Sequence, residues 1–278
     1  MQLAKILLPI HDQADIEPMA RTAFALAARF DAEVEGLFPS IHPRDKFLVQ
    51  DEAGAPFQLE ALIKEAEKQA KEANKRAESR FNKIAKSHPG VTAKFVAMEG
   101  VVANSVARRG RVSDLTVIGA IRKDEADMWL RVRDGAIFQT GRPVIVAPEG
   151  DISEGIGKTV MIAWKDGVEA ARAIAAAKPF IARADNVHIV SAGKSGSDEE
   201  SLKEMKRYLA HYCANVTTAV IGKGKGNVAK LLIEEAAKHP DVLLVMGAYS
   251  QWRWREWAFG GVTDYMLRSA SVPVLMAH

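Results

Sequence analysis

The 278-residue chain reads as an α/β protein made of two tandem, doubly wound parallel-sheet domains. Three observations carry that reading. Short, nearly continuous apolar runs alternate with helix-length amphipathic segments, the pattern of a parallel sheet with helices on both faces. The pattern occurs twice, in the same order and at matching spacing. With 48% hydrophobic and 26% charged residues, the composition is that of a folded chain, long enough for two cores of ordinary size.

The repeat is legible at both ends of each half. "KILLPIHD" (residues 5–12) matches "KTVMIAWKD" (158–166): a lysine, a short apolar run, then a polar break ending in aspartate. The alanine-rich "MARTAFALAARFDAEVEGLF" (19–38) parallels "AARAIAAAKPFIARADNVHIV" (170–190), each running into a β-rich segment. "SDLTVIGA" (113–120) matches "PDVLLVMGA" (240–248), and "GRPVIVAPE" (141–149) matches "SVPVLMAH" (271–278). Between them "PEGDISEGIGK" (148–158) has Gly and acids without an apolar period and reads as a linker. The expected domains are therefore 1–149 and 158–278, with 150–157 between.

In the second half strands are expected near 158–164, 186–191, 216–221, 241–246 and 272–277. Helices are expected near 167–182, 198–213, 226–238 and 261–269. In the first half "LEALIKEAEKQAKEANKRAESRFNKIAK" (59–86) predicts a long helix after a loop from about Pro39 to Pro56, its charge run being a solvated face. The last strands, "PVIVA" (143–147) and "PVLMA" (273–277), are candidate edges and are expected to pair the halves as a pseudo-dimer. Whole chains are expected to associate further, as a homo-oligomer.

Composition narrows the function classes. The net charge is +3, with acids and bases interspersed, which argues against a dedicated nucleic-acid face. Cys213 is the single cysteine, without zinc-type Cys/His spacing, and fits a reducing cytoplasm. The amino end lacks a signal-peptide pattern, and no run approaches the roughly 18 to 20 apolar residues of a membrane span. Neither a metal-ligand spacing nor a Ser/His/Asp grouping emerges among the histidines.

Ligands of doubly wound sheets sit outside the carboxyl ends of the strands, where the strand order reverses. In the flavodoxin-like (Rossmann-like) order 3-2-1-4-5 that crevice lies between the first and fourth strands. The fourth strand of the second half ends at Gly247, where "GAYSQWRWREWAFGGVTDY" (247–265) begins. Glycines let a backbone approach an anion, and a helix starting at Gly260 or Gly261 offers it unpaired N–H groups and a positive dipole end. Ser250 adds a Cβ but also a hydroxyl, and Thr263 brings another. Trp252, Trp254 and Trp257 read as a cover for the sheet edge or a subunit contact, with Arg253, Arg255 and Arg268 as phosphate neighbours. "GKGKGNVAK" (222–230) matches no phosphate-loop pattern and reads as a turn with solvated Lys223 and Lys225.

These residues resemble the universal stress proteins, specifically their tandem two-domain members. The resemblance covers nearly the whole chain and is carried by "LLVMGAYSQWRWREWAFGGVTDYMLRSASVPVLMAH" and "VMIAWKDGVEAARAI". ATP-binding members carry Gly-x2-Gly-x9-Gly-(Ser/Thr) after the fourth strand and an aspartate at the end of the first. The resemblance implies a nucleotide site of Gly247, Ser250, Gly260 and Gly261, followed by Val262 and Thr263. Ser250 replaces a glycine and Gly261 a hydroxyl residue. On the adenine side it implies Ala163 and the residues beyond, where Lys165 takes the aspartate's place and Asp166 follows. Asp166 serves only if the loop shifts by one residue, and otherwise reads as a turn or N-cap residue. In the first half the same place is His11, followed by Asp12.

The implied function is a cytoplasmic stress-response regulator or protective factor binding ATP, with Mg as counter-ion, in the second half. With no evident base to orient water, hydrolysis would be slow at most. The alternative is a nucleotide-free interaction module of the same fold. Aligning the halves from Pro143 and Pro273 places Leu130 and Arg131 opposite Gly260 and Gly261. Gly119 and Leu130 are 11 positions apart, Gly247 and Gly260 13. The first half is therefore expected to lack the site, with Trp129 and Leu130 as packing residues.

Overall fold

The apolar runs form one ten-stranded sheet, and the segments between them form the helices that cover it. The computed structural model describes residues 2–11, 15–43, 56–120, 127–150, 152–192, 196–222, 227–248 and 261–278. In the first half, strands β1 (Lys5–Pro9), β2 (Glu33–Ser40), β3 (Ala93–Glu99), β4 (Leu115–Gly119) and β5 (Val144–Ala147) alternate with helices α1 (Glu17–Phe30), α2 (Pro56–Lys86), α3 (Val102–Gly110) and α4 (Asp127–Gln139). In the second, β6 (Thr159–Ala163), β7 (Asn186–Ser191), β8 (Val216–Val220), β9 (Val242–Gly247) and β10 (Val274–Ala277) alternate with α5 (Val168–Ile181), α6 (Gly196–Leu209), α7 (Val228–Ala236) and α8 (Gly261–Ser269).

The sheet runs β3-β2-β1-β4-β5-β10-β9-β6-β7-β8, so each half has the order 3-2-1-4-5. Neighbours within a half are parallel. The halves join through β5 and β10, antiparallel, with Ile145 opposite Leu275. That is the pairing their edge positions predict, since each strand alone would expose a row of unpaired backbone groups.

Local chemistry sets the element ends. A proline in the first turn and Glu17 suit the start of α1, and Asp31 ends it in the left-handed region at φ 56°. Asn227 caps α7, its side chain accepting from the N–H groups of Ala229 at 3.0 Å and Lys230 at 3.3 Å, a contribution of about 1 kcal/mol. Pro240 bars helical backbone just before it, so α7 is shorter than the pattern suggests. Likewise α6 stops at Leu209, whose carbonyl accepts from both Tyr212 and Cys213 and closes the last turn. The expected loop from Pro39 is shorter too, because β2 continues to Ser40. Pro39 lies past Leu37, the last β2 residue paired with β1, so its missing N–H falls where that side of the strand is already open.

The seam between the halves is closed by more than the strands. Phe30 and Phe180 meet edge to face at 4.9 Å, with the Arg183 guanidinium 4.7 Å over Phe30. Arg29 donates to the Arg183 carbonyl and Arg183 to the Arg29 carbonyl, each at 2.7 Å. The linker is tied to the same seam. Ile156 is buried in the core, and Arg29 donates to the carbonyls of Gly155 and Gly157.

Candidate functional site

The crevice of a doubly wound sheet opens here twice, between β1 and β4 and between β6 and β9. In the second half β6 ends at the half-buried Ala163, and the chain continues through Trp164, Lys165 and Asp166 into α5. Trp164 turns into the core, its Nε1 donating to Ser201 Oγ of α6 at 2.9 Å. Lys165 and Asp166 are exposed at the mouth. Asp166 is not the cap of α5. The N-cap is Gly167, without a side-chain cap hydrogen bond, so the first N–H groups of α5 have no side-chain acceptor there.

Gly247 ends β9, and packing explains its missing side chain. A Cβ at this position would lie 2.7 Å from the Glu169 carbonyl carbon and 2.8 Å from the Ala170 nitrogen. The close approach that glycine permits is made in the structure by the first turn of α5. Gly261, by contrast, opens α8 into space: it is exposed, and a Cβ there would meet nothing within 4 Å. Val262 is half-buried against the core and Thr263 is buried, so the Thr263 hydroxyl is not presented with the exposed start of the helix. Arg268 has a partner on its own helix. Its Nε donates to Asp264 Oδ1 at 2.9 Å, an ion pair from the last turn of α8 back to the first, so a carboxylate already partners this guanidinium. Ser250 and Gly260 lie outside the described residues, as do Trp252, Arg253, Trp254, Arg255, Trp257, Asp12, Lys223 and Lys225.

The first-half crevice is built from corresponding positions. Ile6 pairs with Leu115 as Val160 pairs with Leu243, which makes His11 the counterpart of Lys165 and Gly119 that of Gly247. Arg131, the counterpart of Gly261, lies a full turn inside α4, which starts at Asp127. That extra turn carries Trp129, only 9% exposed, whose ring lies 6.5 Å from that of His11. Leu130 is half-buried against the same core. Both are packing residues, and an indole stands at the first-half crevice where the second half has an exposed helix start.

One polar cluster in this frame escaped the sequence reading. Glu35, in the middle of β2, is fully buried and bonds Lys5 Nζ at 2.7 Å and the guanidinium of Arg109 through two hydrogen bonds. Burial alone would raise its pKa, but the bonds from Arg109 and Lys5 win and hold the carboxyl below its ordinary range. The available signal was an acid inside the apolar run "VEGLF" of an interior strand. Among the described residues no cluster of three metal-ligating side chains occurs, and no helix is long and apolar enough to cross a membrane.

No family model matches the sequence, and no curated relative does. Solved structures match by fold. A universal stress protein from Archaeoglobus fulgidus DSM 4304 is similar over 99% of this chain and 96% of its own, with a TM-score of 0.63 at 16% identity. A protein assigned as a universal stress protein from Pseudomonas aeruginosa UCBPP-PA14 is similar over 99% and 93%, with a TM-score of 0.57 at 14% identity. A protein of unknown function from Pseudomonas aeruginosa PAO1 is similar over 99% and 92%, with a TM-score of 0.53 at 14% identity. Over nearly its whole length, then, the chain has the fold of the universal stress proteins.

Proposed function

We propose that this chain is a tandem universal-stress-type protein that binds one adenine nucleotide, ATP with Mg as counter-ion, in the crevice between β6 and β9. The observation that carries this reading is the contrast at the two helix starts: Gly261 is exposed with open space around it, whereas its counterpart Arg131 lies inside a helix whose extra turn packs Trp129 beside His11. N–H groups at the start of α8 would hold phosphate oxygens, and the uncapped start of α5 and the exposed Lys165 would add positive potential at the same edge. No group described at the crevice is placed as a base for water, so the chain's role is to bind and respond rather than to turn over ATP. A single cysteine and the absence of a spanning helix among the described residues suit a cytoplasmic protein. Further association of whole chains is part of the same proposal and is read by sedimentation.

The second reading, a nucleotide-free interaction module, is favoured by a different observation: the glycine at 247 is already required by α5. Calorimetric titration with Mg-ATP, after any co-purified ligand is stripped, separates the two. Saturable heat supports the nucleotide reading, and no heat together with no co-purified nucleotide overturns it.

A further inference from the structure

The strand position that holds Glu35 in the first half holds His188 in the second. Leu7 pairs with Glu35 as Met161 pairs with His188, and Leu7 and Met161 correspond. Counting back from Leu115 and Leu243, the counterpart of Arg109 is Ala237, and that of Lys5 is Thr159. The second half has therefore lost the buried acid and both of its cations together.

In their place two imidazoles stack. The rings of His188 on β7 and His239, just past α7, lie 4.6 Å apart with planes 20° from parallel. They wall a cavity of about 290 Å³ with Met161, Val190 and Ala219 as its apolar lining, and Thr217, Glu235 and Lys238 complete it. We propose that this stack is a proton-operated latch: it holds the end of α7 against the β6-β7-β8 face while the His188 ring is neutral, and releases it, widening the cavity, when that ring takes a proton.

The groups around the pair leave a positive charge there uncompensated. From β8, Thr217 Oγ1 is hydrogen bonded to His188 Nδ1, and neither Thr217 nor Ala219 titrates. From β6, Met161 and, from β7, Val190 are apolar. From α7 the one nearby acid, Glu235, is engaged with Lys238 at 2.5 Å. A proton on His188 at this separation is placed in a partly buried site beside a second imidazole with no free acid to offset it. Burial first, and then the His239 charge, push the His188 pKa down from its usual 6.5, with Glu235 opposing. The folded form therefore binds fewer protons than the unfolded, so the stability owed to the neutral His188 ring is complete above 6.5 and drains away as the pH falls through the lowered value. The element that ends at the stack is α7, nine residues long and capped by Asn227.

The test is amide hydrogen exchange on the full chain at about pH 7.5 and about pH 5, corrected for intrinsic rates, in wild type, His239→Phe and His188→Phe. Each variant keeps a ring in the stack and removes one imidazole. Protection of the α7 amides in wild type should fall about tenfold relative to β4 and β5 at the lower pH, and the fall should vanish in both variants. Equal α7 protection at both pH values in wild type overturns the latch. So does a fall of the same size in the two variants.

Discussion

The two halves share a strand order and a helix order, yet at matching positions they make opposite choices. At the crevice, the first half extends α4 by a turn and stands Trp129 beside His11, while the second starts α8 at an exposed Gly261. At the middle of the strand next to the first, the first half buries the Glu35–Arg109–Lys5 cluster, while the second substitutes stacked imidazoles over a cavity. The first half is fastened by fixed charges and a large ring. The second is left open at both places. A repeated scaffold keeps the apolar layers that fold it and diverges in the few polar and glycine positions that those layers do not dictate.

The sharpest way to break this comparison is to remove the fastening. Arg109→Ala leaves the buried Glu35 with Lys5 alone and should destabilise the chain by about 3 kcal/mol, measured by denaturant unfolding. The loss should shrink in acid. Because the Glu35 pKa is lowered from 4.5, its paired charge stabilises fully above that value and its contribution disappears as the pH falls through the lower folded pKa. Equal destabilisation at neutral pH and well below pH 4.5 would mean that packing, not charge, holds the position.

A second comparison sets the two strand-end glycines side by side. Gly247→Ala drives a Cβ into the backbone of α5 and should cost about 2 kcal/mol. Gly119→Ala meets only Met19 Sδ at 3.8 Å and should cost under about 0.5 kcal/mol. If the two cost the same in thermal unfolding, the close packing of α5 on β9 is not what demands glycine. A smaller effect sharpens the site itself. Gly261→Ser returns a hydroxyl to the start of α8 with no steric conflict, and Mg-ATP should bind about threefold to tenfold tighter.

The apolar runs made most of the fold legible. All five strands of the second half fall within two residues of their expected positions at each end, because buried parallel strands must be apolar throughout. Helix ends were less legible: Asn227 and Pro240 trim α7, and Leu209 ends α6, through local bonds that periodicity does not register. At the site, the sequence located the crevice and the packing role of Trp129, but it could not tell that α5 claims the space at Gly247, because that depends on which backbone arrives from elsewhere in the chain. The Arg268–Asp264 pair, four residues apart on one helix, did carry a readable signal. Glu35 and His188 were visible only as polar letters in apolar strands; their partners come from other elements far along the sequence.

If the open half binds one nucleotide and the fastened half none, the number of Mg-ATP molecules bound per chain at saturation will show it, in wild type and in Gly261→Asp. An aspartate at the first position of α8 meets no atom and suits the helix dipole, so the fold should hold, but it sets a negative charge where a phosphate would lie. Wild type should bind about one equivalent, and the variant should lose about a hundredfold or more in affinity with unchanged thermal stability. Two equivalents per chain, none at all, or an unchanged affinity in Gly261→Asp would contradict it.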